Sequence, residues 1–172
     1  MRGNPIEPRT ISLIGMPGAG KSTVGVLLAK ICGLAFRDTD LDIQLEAGAT
    51  LQDILEREGY LKLRAREEQI LMSIPLEHAV VSTGGSVVYS ELAMQRLRDA
   101  GPVVYLQVEL DELKRRVAQS PNRGIASNSA DSFEDIYNER TPLYRHHADY
   151  TVVSARNSAD KIAEDILNIL SL

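Results

Sequence analysis

The sequence predicts a three-layer α/β/α fold around a five-stranded parallel sheet. Two observations carry the prediction. Short β-branched or apolar runs alternate with helix-spaced patterns along the whole chain, the signature of parallel βαβ units with helices on both faces. Three polar or glycine-rich clusters, Gly15 to Ser22, Asp38 to Asp40 and Thr83 to Ser86, each follow a predicted strand, where such sheets bind ligands. A length of 172 residues, with 44% hydrophobic and 25% charged residues, suits one domain with a real core.

The elements follow in order. Thr10 to Ile14 reads as a buried strand, and Ser22 to Ile31 as a helix carrying Val24, Leu27, Leu28 and Ile31 on one face. Leu34 to Arg37 is a second strand, and Leu41 to Ile74 is helical with breaks near Gly48 and Gly59. Ala79 to Ser82 and Val103 to Gln107 are strands, separated by a helix over Leu92 to Arg98. Asp111 to Ala118 is helical, and Ser120 to Asp131 is rich in Ser, Asn, Gly and Pro, hence a mobile loop. Ser132-x-x-Asp135 resembles a capping box opening a helix through about Arg145. Tyr150 to Val153 is the fifth strand, and Ile162, Ile166 and Ile169 mark a closing amphipathic helix.

Composition narrows the classes. No apolar run approaches the roughly 18 residues that span a bilayer. Met1 to Arg9 lacks the apolar segment of a secretory signal, and a single cysteine excludes an internal disulfide and a cysteine-based zinc site. These features point to the cytoplasm. A net charge of -5 argues against a broad nucleic-acid surface but leaves room for a cleft dominated by a few arginines.

Gly15-Met16-Pro17-Gly18-Ala19-Gly20-Lys21-Ser22 fits G-x-x-x-x-G-K-[ST], between a strand and a helix. Glycines let the backbone turn its N–H groups onto phosphates, Lys21 neutralises the β- and γ-phosphates, and the Ser22 hydroxyl helps hold Mg²⁺. The helix behind the loop aims its positive end at the same anions. The loop predicts ATP-dependent phosphotransfer, and a guanine-specifying N-K-x-D is not found. Asp38 and Asp40 have two open readings. They can orient Mg²⁺ and an acceptor hydroxyl, or Asp40 can cap the helix beginning near Leu41. Arg64, by spacing alone, reads as part of a solvated face with Arg66, Glu67 and Glu68. Thr83-Gly84-Gly85 can offer backbone N–H groups to a ligand or form a plain turn, and Arg140 and Arg145 can reach a carboxylate.

Together these clusters resemble the shikimate kinase family over about Ser12 to Leu167, in the family's order and spacing. The resemblance rests on the phosphate loop with Ser22-Thr23, the D-x-D of Asp38-Thr39-Asp40, Arg64 followed by Glu67, Thr83-Gly84-Gly85, and Glu139-Arg140-Thr141-Pro142-Leu143-Tyr144. It implies a P-loop fold of the nucleoside monophosphate kinase type with a lid at about 120–131, and transfer of the ATP γ-phosphate to the 3-hydroxyl of shikimate in chorismate biosynthesis. It further implies ATP contacts from Gly18, Ala19, Gly20, Lys21, Ser22, Thr23, Arg116 and the lid residue Arg123, with Arg116 packing on adenine. Shikimate contacts come from Asp40, Arg64, Gly84, Gly85, Ser86 and Arg140, with the two arginines on the carboxylate. Mg²⁺ falls to Ser22 and Asp38, and catalysis to Lys21, Asp40 and Arg123. The implied partners are ATP and shikimate, with no nucleic acid or membrane, for a monomer.

The chain departs from the family pattern at several places. Gly59-Tyr60 replaces G-E, Leu63 replaces a phenylalanine, and Ser86 replaces the third glycine, supplying its N–H as long as φ is negative. The lid reads Arg123-Gly124-Ile125-Ala126, which makes it more flexible. The alternatives are a related kinase of another hydroxylated acid or sugar, or a degenerate ATP-binding sensor. A nucleoside monophosphate kinase fits less well, since Ser120 to Asp131 holds one arginine. Cys32 reads as buried packing, Tyr144 as helix packing, and His78, His146 and His147 as no metal pattern.

Overall fold

The computed structural model describes residues 10–120, 124–154 and 156–172. Five strands, β1 (Ile11–Ile14), β2 (Ala35–Asp38), β3 (Ala79–Ser82), β4 (Val103–Gln107) and β5 (Tyr150–Val153), form one sheet in the order β2-β3-β1-β4-β5. Every pairing is parallel, with Leu13 opposite Ser82 on one side and Val104 on the other. The three central strands are buried along almost their whole length, both faces included, so they read as unbroken apolar runs. The edge strands β2 and β5 keep exposed positions.

Among the described residues, eight α-helices accompany this sheet: α1 (Lys21–Cys32), α2 (Thr39–Ala47), α3 (Leu51–Glu58), α4 (Tyr60–Ser73), α5 (Glu91–Ala100), α6 (Leu110–Ala118), α7 (Phe133–His147) and α8 (Ala159–Leu170). α1 packs against α8 and against β3, while α7 packs against α6 and β4. The main core runs through Leu13, Ile14, Val80, Val81, Val104 and Leu106, all fully buried. Each such side chain stabilises the fold by about 1.5–3 kcal/mol over leaving it in water. A second, smaller core of Ile43, Ile54, Leu63 and Ile70 joins α2, α3 and α4, and Ala126 of the loop after α6 is buried in it.

Local chemistry explains the boundaries. Gly48, at φ 60°, closes α2 in the left-handed region, and Gly59 ends α3 while opening α4. Both breaks were expected. The Ser132–Asp135 capping box at α7 is complete in both directions, and Thr50 with Asp53 forms another at α3.

Three expectations are corrected. α2 begins at Thr39, two residues early, because the Asp38 side chain accepts the Asp40 N–H at 3.0 Å. Asp38 is therefore the cap, and Asp40 lies inside the first turn. Ile31, placed on the apolar face of α1, is 60% exposed, and Cys32 is only half-buried. A 3₁₀ turn at Val87–Tyr89 has no counterpart in the sequence reading; at three residues it is too short to leave a periodic signal.

Candidate active site

A cleft of about 730 Å³ opens above the carboxyl ends of the central strands. β1 lies between β3 and β4, so the chain leaves it in one direction and returns on the other side. That reversal is where parallel sheets present their ligand crevice. Pro17, Gly18 and Gly20 of the loop after β1 line it.

Gly18 and Gly20 hold φ of 85° and 94°, which a side chain would strain, so the loop can curl before α1. Ala19 is buried beneath the loop, and its N–H bonds the Met16 carbonyl at 3.1 Å. No side chain caps the start of α1. Lys21 is buried, with Nζ donating to the carbonyls of Gly15 at 2.8 Å and Met16 at 3.0 Å. Its ammonium is thereby folded back over the loop that an anion would enter. Thr23 lines the same cleft.

Ser22 and Asp38 meet although sixteen residues apart: Ser22 Oγ donates to Asp38 Oδ2 at 2.6 Å. A hydroxyl and a carboxylate side by side are hard oxygen donors, the set that Mg²⁺ takes from protein when phosphates and water complete its octahedron. The pair fits the ion. Arg116 reaches the loop from α6, with Nη1 3.4 Å from the Gly18 carbonyl. Its Nε donates to Glu112 at 2.7 Å, and Arg115 together with Arg116 holds the Glu112 carboxyl down to about 2. Arg123 lies outside the described residues.

The opposite wall carries the polar groups of α2, α4, the glycine turn and α7. Asp40 lines the cleft, and since Asp38 is the cap of α2, the capping reading of Asp40 is corrected. Gly84 follows β3, and its N–H donates to Thr39 Oγ1 at 3.0 Å. That amide is therefore directed at α2 rather than at the cleft. Gly85 is held through its carbonyl by the Tyr144 hydroxyl. Tyr144 is fully buried and stacked on Tyr105 at 5.2 Å, and burial pushes its pKa far up. Ser86 sits at φ −95°, so its side chain is tolerated.

Arg64 and Arg140 converge on one oxygen. Arg64 Nε donates to the Ala126 carbonyl at 3.1 Å, and Arg140 Nη2 donates to the same atom at 2.8 Å. Arg64 also stacks over Tyr89 at 3.7 Å and over Tyr60 at 5.0 Å, while Arg140 lies 5.4 Å from the Tyr89 ring. Two guanidinium groups sharing one acceptor is an arrangement that a carboxylate satisfies better than a lone carbonyl. The solvated face expected from spacing alone is thus wrong for Arg64. Gly124 presses on α3: a Cβ there would stand 2.5 Å from the Leu51 carbonyl carbon.

Two residues were missed. Tyr89 is the platform for both arginines, and only the unpredicted 3₁₀ turn brings it there. Glu67, read as part of the solvated stretch, is 4% exposed, and its Oε2 accepts from the Ser86 hydroxyl. Burial, with Asp40 nearby, raises its pKa to about 7 despite that hydrogen bond. A signal existed: Leu63, Glu67, Ile70 and Leu71 share the buried stripe of α4.

Comparison with known proteins shows the family. The sequence model of the shikimate kinase family matches residues 17–171. The chain belongs to the shikimate kinase family. A shikimate kinase of Histophilus somni is 35% identical over 168 residues, 95% of this chain and 96% of that protein. One of Wigglesworthia glossinidia brevipalpis is 37% identical, covering 96% and 98%. Among solved structures, a shikimate kinase from Acinetobacter baumannii in complex with shikimate superposes with a TM-score of 0.82 at 32% identity, covering 94% of this chain and 92% of that one. No helix among the described residues is long and apolar enough to cross a membrane.

Proposed function

We propose that this protein transfers the γ-phosphoryl group of ATP to the 3-hydroxyl of shikimate. The observation that carries the proposal is the single cleft joining the Lys21 loop to Asp40 and Arg140, with Arg64 directed at the same carbonyl as Arg140.

The backbone of Gly18 to Thr23 and the start of α1 receive the phosphates. Lys21 exchanges its two carbonyl contacts for phosphate oxygens and neutralises charge that grows in the transition state. Ser22 and Asp38 are the residues that would hold Mg²⁺, which would supply charge neutralisation to the ATP phosphates. Arg116 packs against the adenine side, and Arg123, in the lid, closes on the phosphates. Arg64 and Arg140 take the shikimate carboxylate in place of the Ala126 carbonyl. That clamp fixes which ring hydroxyl faces the phosphate. Asp40 accepts the proton of the 3-hydroxyl as its oxygen bonds to phosphorus, and the bond to the β-bridging oxygen breaks to leave ADP. Closure of the 120–131 segment expels water and suppresses ATP hydrolysis. The enzyme acts as a cytoplasmic monomer.

An ADP-release assay against shikimate, quinate, gluconate and nucleoside monophosphates tests the reading. Turnover that depends on shikimate is expected. ADP release indifferent to shikimate, or absent with every acceptor, overturns it.

A further inference from the structure

Ser86 stands where the family pattern has glycine, and its hydroxyl is engaged rather than idle: it donates to Oε2 of Glu67. The other oxygen, Oε1, is buried with no hydrogen-bond partner. A buried carboxyl oxygen without a partner is costly, so the site has reason to hold it there. Its location is set by Gly84. A Cβ on that glycine would overlap Glu67 Oε1 and would lie 3.1 Å from Asp40 Oδ1. Glu67 Oε1 and Asp40 Oδ1 thus flank the same bare stretch of backbone in the wall of the cleft.

The alternative partner for Glu67 is Arg64, three residues earlier on α4 and correctly spaced for an ion pair. Arg64 is instead stacked on Tyr89 and bonded to Ala126. The Ser86 hydroxyl keeps Glu67 on the Asp40 side. On the reading that this cleft phosphorylates shikimate, we propose that Ser86 is a positioning residue that anchors Glu67 by Oε2, so that Oε1 meets a second hydroxyl of the acceptor beside the one bound by Asp40. The site then recognises a carboxylated polyol at three points: the carboxylate at the arginines, one hydroxyl at Asp40 and a neighbouring hydroxyl at Glu67.

The charged and titratable groups facing Glu67 are Asp40 from α2, Lys21 from α1, and Arg140 and Tyr144 from α7. A neutral Glu67 donates to a hydroxyl and an ionised one accepts from it, but ionisation adds negative charge beside an anionic acceptor. Acceptor affinity therefore weakens as pH rises through about 7. The Ser86 bond favours the ionised form, so its loss moves that weakening to higher pH.

The experiment is a pH series of shikimate KM, ATP KM and kcat for the wild type, Ser86→Ala, Ser86→Thr and Glu67→Gln. Ser86→Ala is expected to raise shikimate KM about 3- to 10-fold, more than it changes ATP KM or kcat, and to shift the KM upturn to higher pH. Ser86→Thr, which keeps the hydroxyl, restores both. Glu67→Gln, which keeps the shape but not the charge, flattens shikimate KM across pH 6 to 8, roughly the interval over which a group near pH 7 titrates. A Ser86→Ala enzyme with wild-type shikimate KM and pH profile overturns the proposal while leaving the functional reading intact. If Ser86→Ala does not fold, a Glu67→Gln profile that still turns upward near pH 7 overturns it equally. A wild type without shikimate turnover overturns the functional reading and the proposal with it.

Discussion

On the proposed reading, the donor side of the cleft is one continuous run from Gly15 to Ser22, whereas the acceptor side draws Asp40 from α2, Glu67 from α4, Ser86 from the glycine turn, Arg140 from α7 and Ala126 from the loop before it, with Arg64 of α4 reaching the Ala126 carbonyl. The donor loop rests on the large sheet core through the buried Met16 and Ala19. The acceptor groups rest on the small core of Ile43, Ile54, Leu63 and Ile70, to which Ala126 belongs. Phosphates are recognised by backbone, which any sequence with the right glycines can shape. A particular acid is recognised by side chains, and these need a tertiary structure to bring them together. The two halves should accordingly fail in different ways.

The largest effect is expected from Lys21→Ala, which lowers phosphoryl transfer by about 10²–10³-fold, the scale of losing one preorganised transition-state donor. ADP release with every acceptor should fall together. A loss confined to shikimate would break the division into halves. Arg140→Ala comes next. Removing charge-assisted hydrogen bonds of about 1.5–3 kcal/mol lowers kcat/KM for shikimate by about 10- to 100-fold. Because Arg140 is almost completely buried, Tm should fall as well. Arg64→Ala acts on the same step with less effect, near 10-fold, since Arg64 is only half-buried and Arg140 remains. Wild-type shikimate kinetics in Arg64→Ala would sink the clamp.

A smaller effect concerns stability. Glu67 has an ordinary pKa of 4.5 and is raised to about 7 in the folded protein, so the folded state binds the proton more tightly than the unfolded state. Its contribution is full below pH 4.5 and is lost as pH rises through about 7. Thermal melts should show the wild type losing Tm relative to Glu67→Gln across that window; parallel curves would show that Glu67 is ionised throughout. Last, Arg66→Ala breaks only the exposed pair with Glu58 on the outer side of α4. It should leave Tm and both KM values where they were, confirming that α4 carries acceptor chemistry on one face alone.

Some features were legible because they are local. The glycine breaks at Gly48 and Gly59, the Ser132–Asp135 box and the phosphate loop each depend on residues a few positions apart. Others misled. Helical spacing assigned Ile31 to a buried stripe, but which turns of a stripe are covered depends on neighbouring elements that spacing does not describe. Asp40 read equally well as a helix cap until the Asp38 side chain proved to accept its N–H. Glu67 looked like one more charge in a charged run, and its burial shows only once β3 and the glycine turn are laid against α4.

The sequence by itself determined the parallel α/β architecture and the phosphate loop, because alternating periodicity and a glycine-rich turn are short-range properties of the chain. It also carried the family resemblance that the comparisons bear out. Only the tertiary structure decided that Arg64 and Arg140 meet at one carbonyl, that Tyr89 supports both, and that Ser86 reaches Glu67. These contacts join groups 14 to 62 residues apart along the chain. Nothing but the packing of α4, α7 and the glycine turn over the sheet sets their distances.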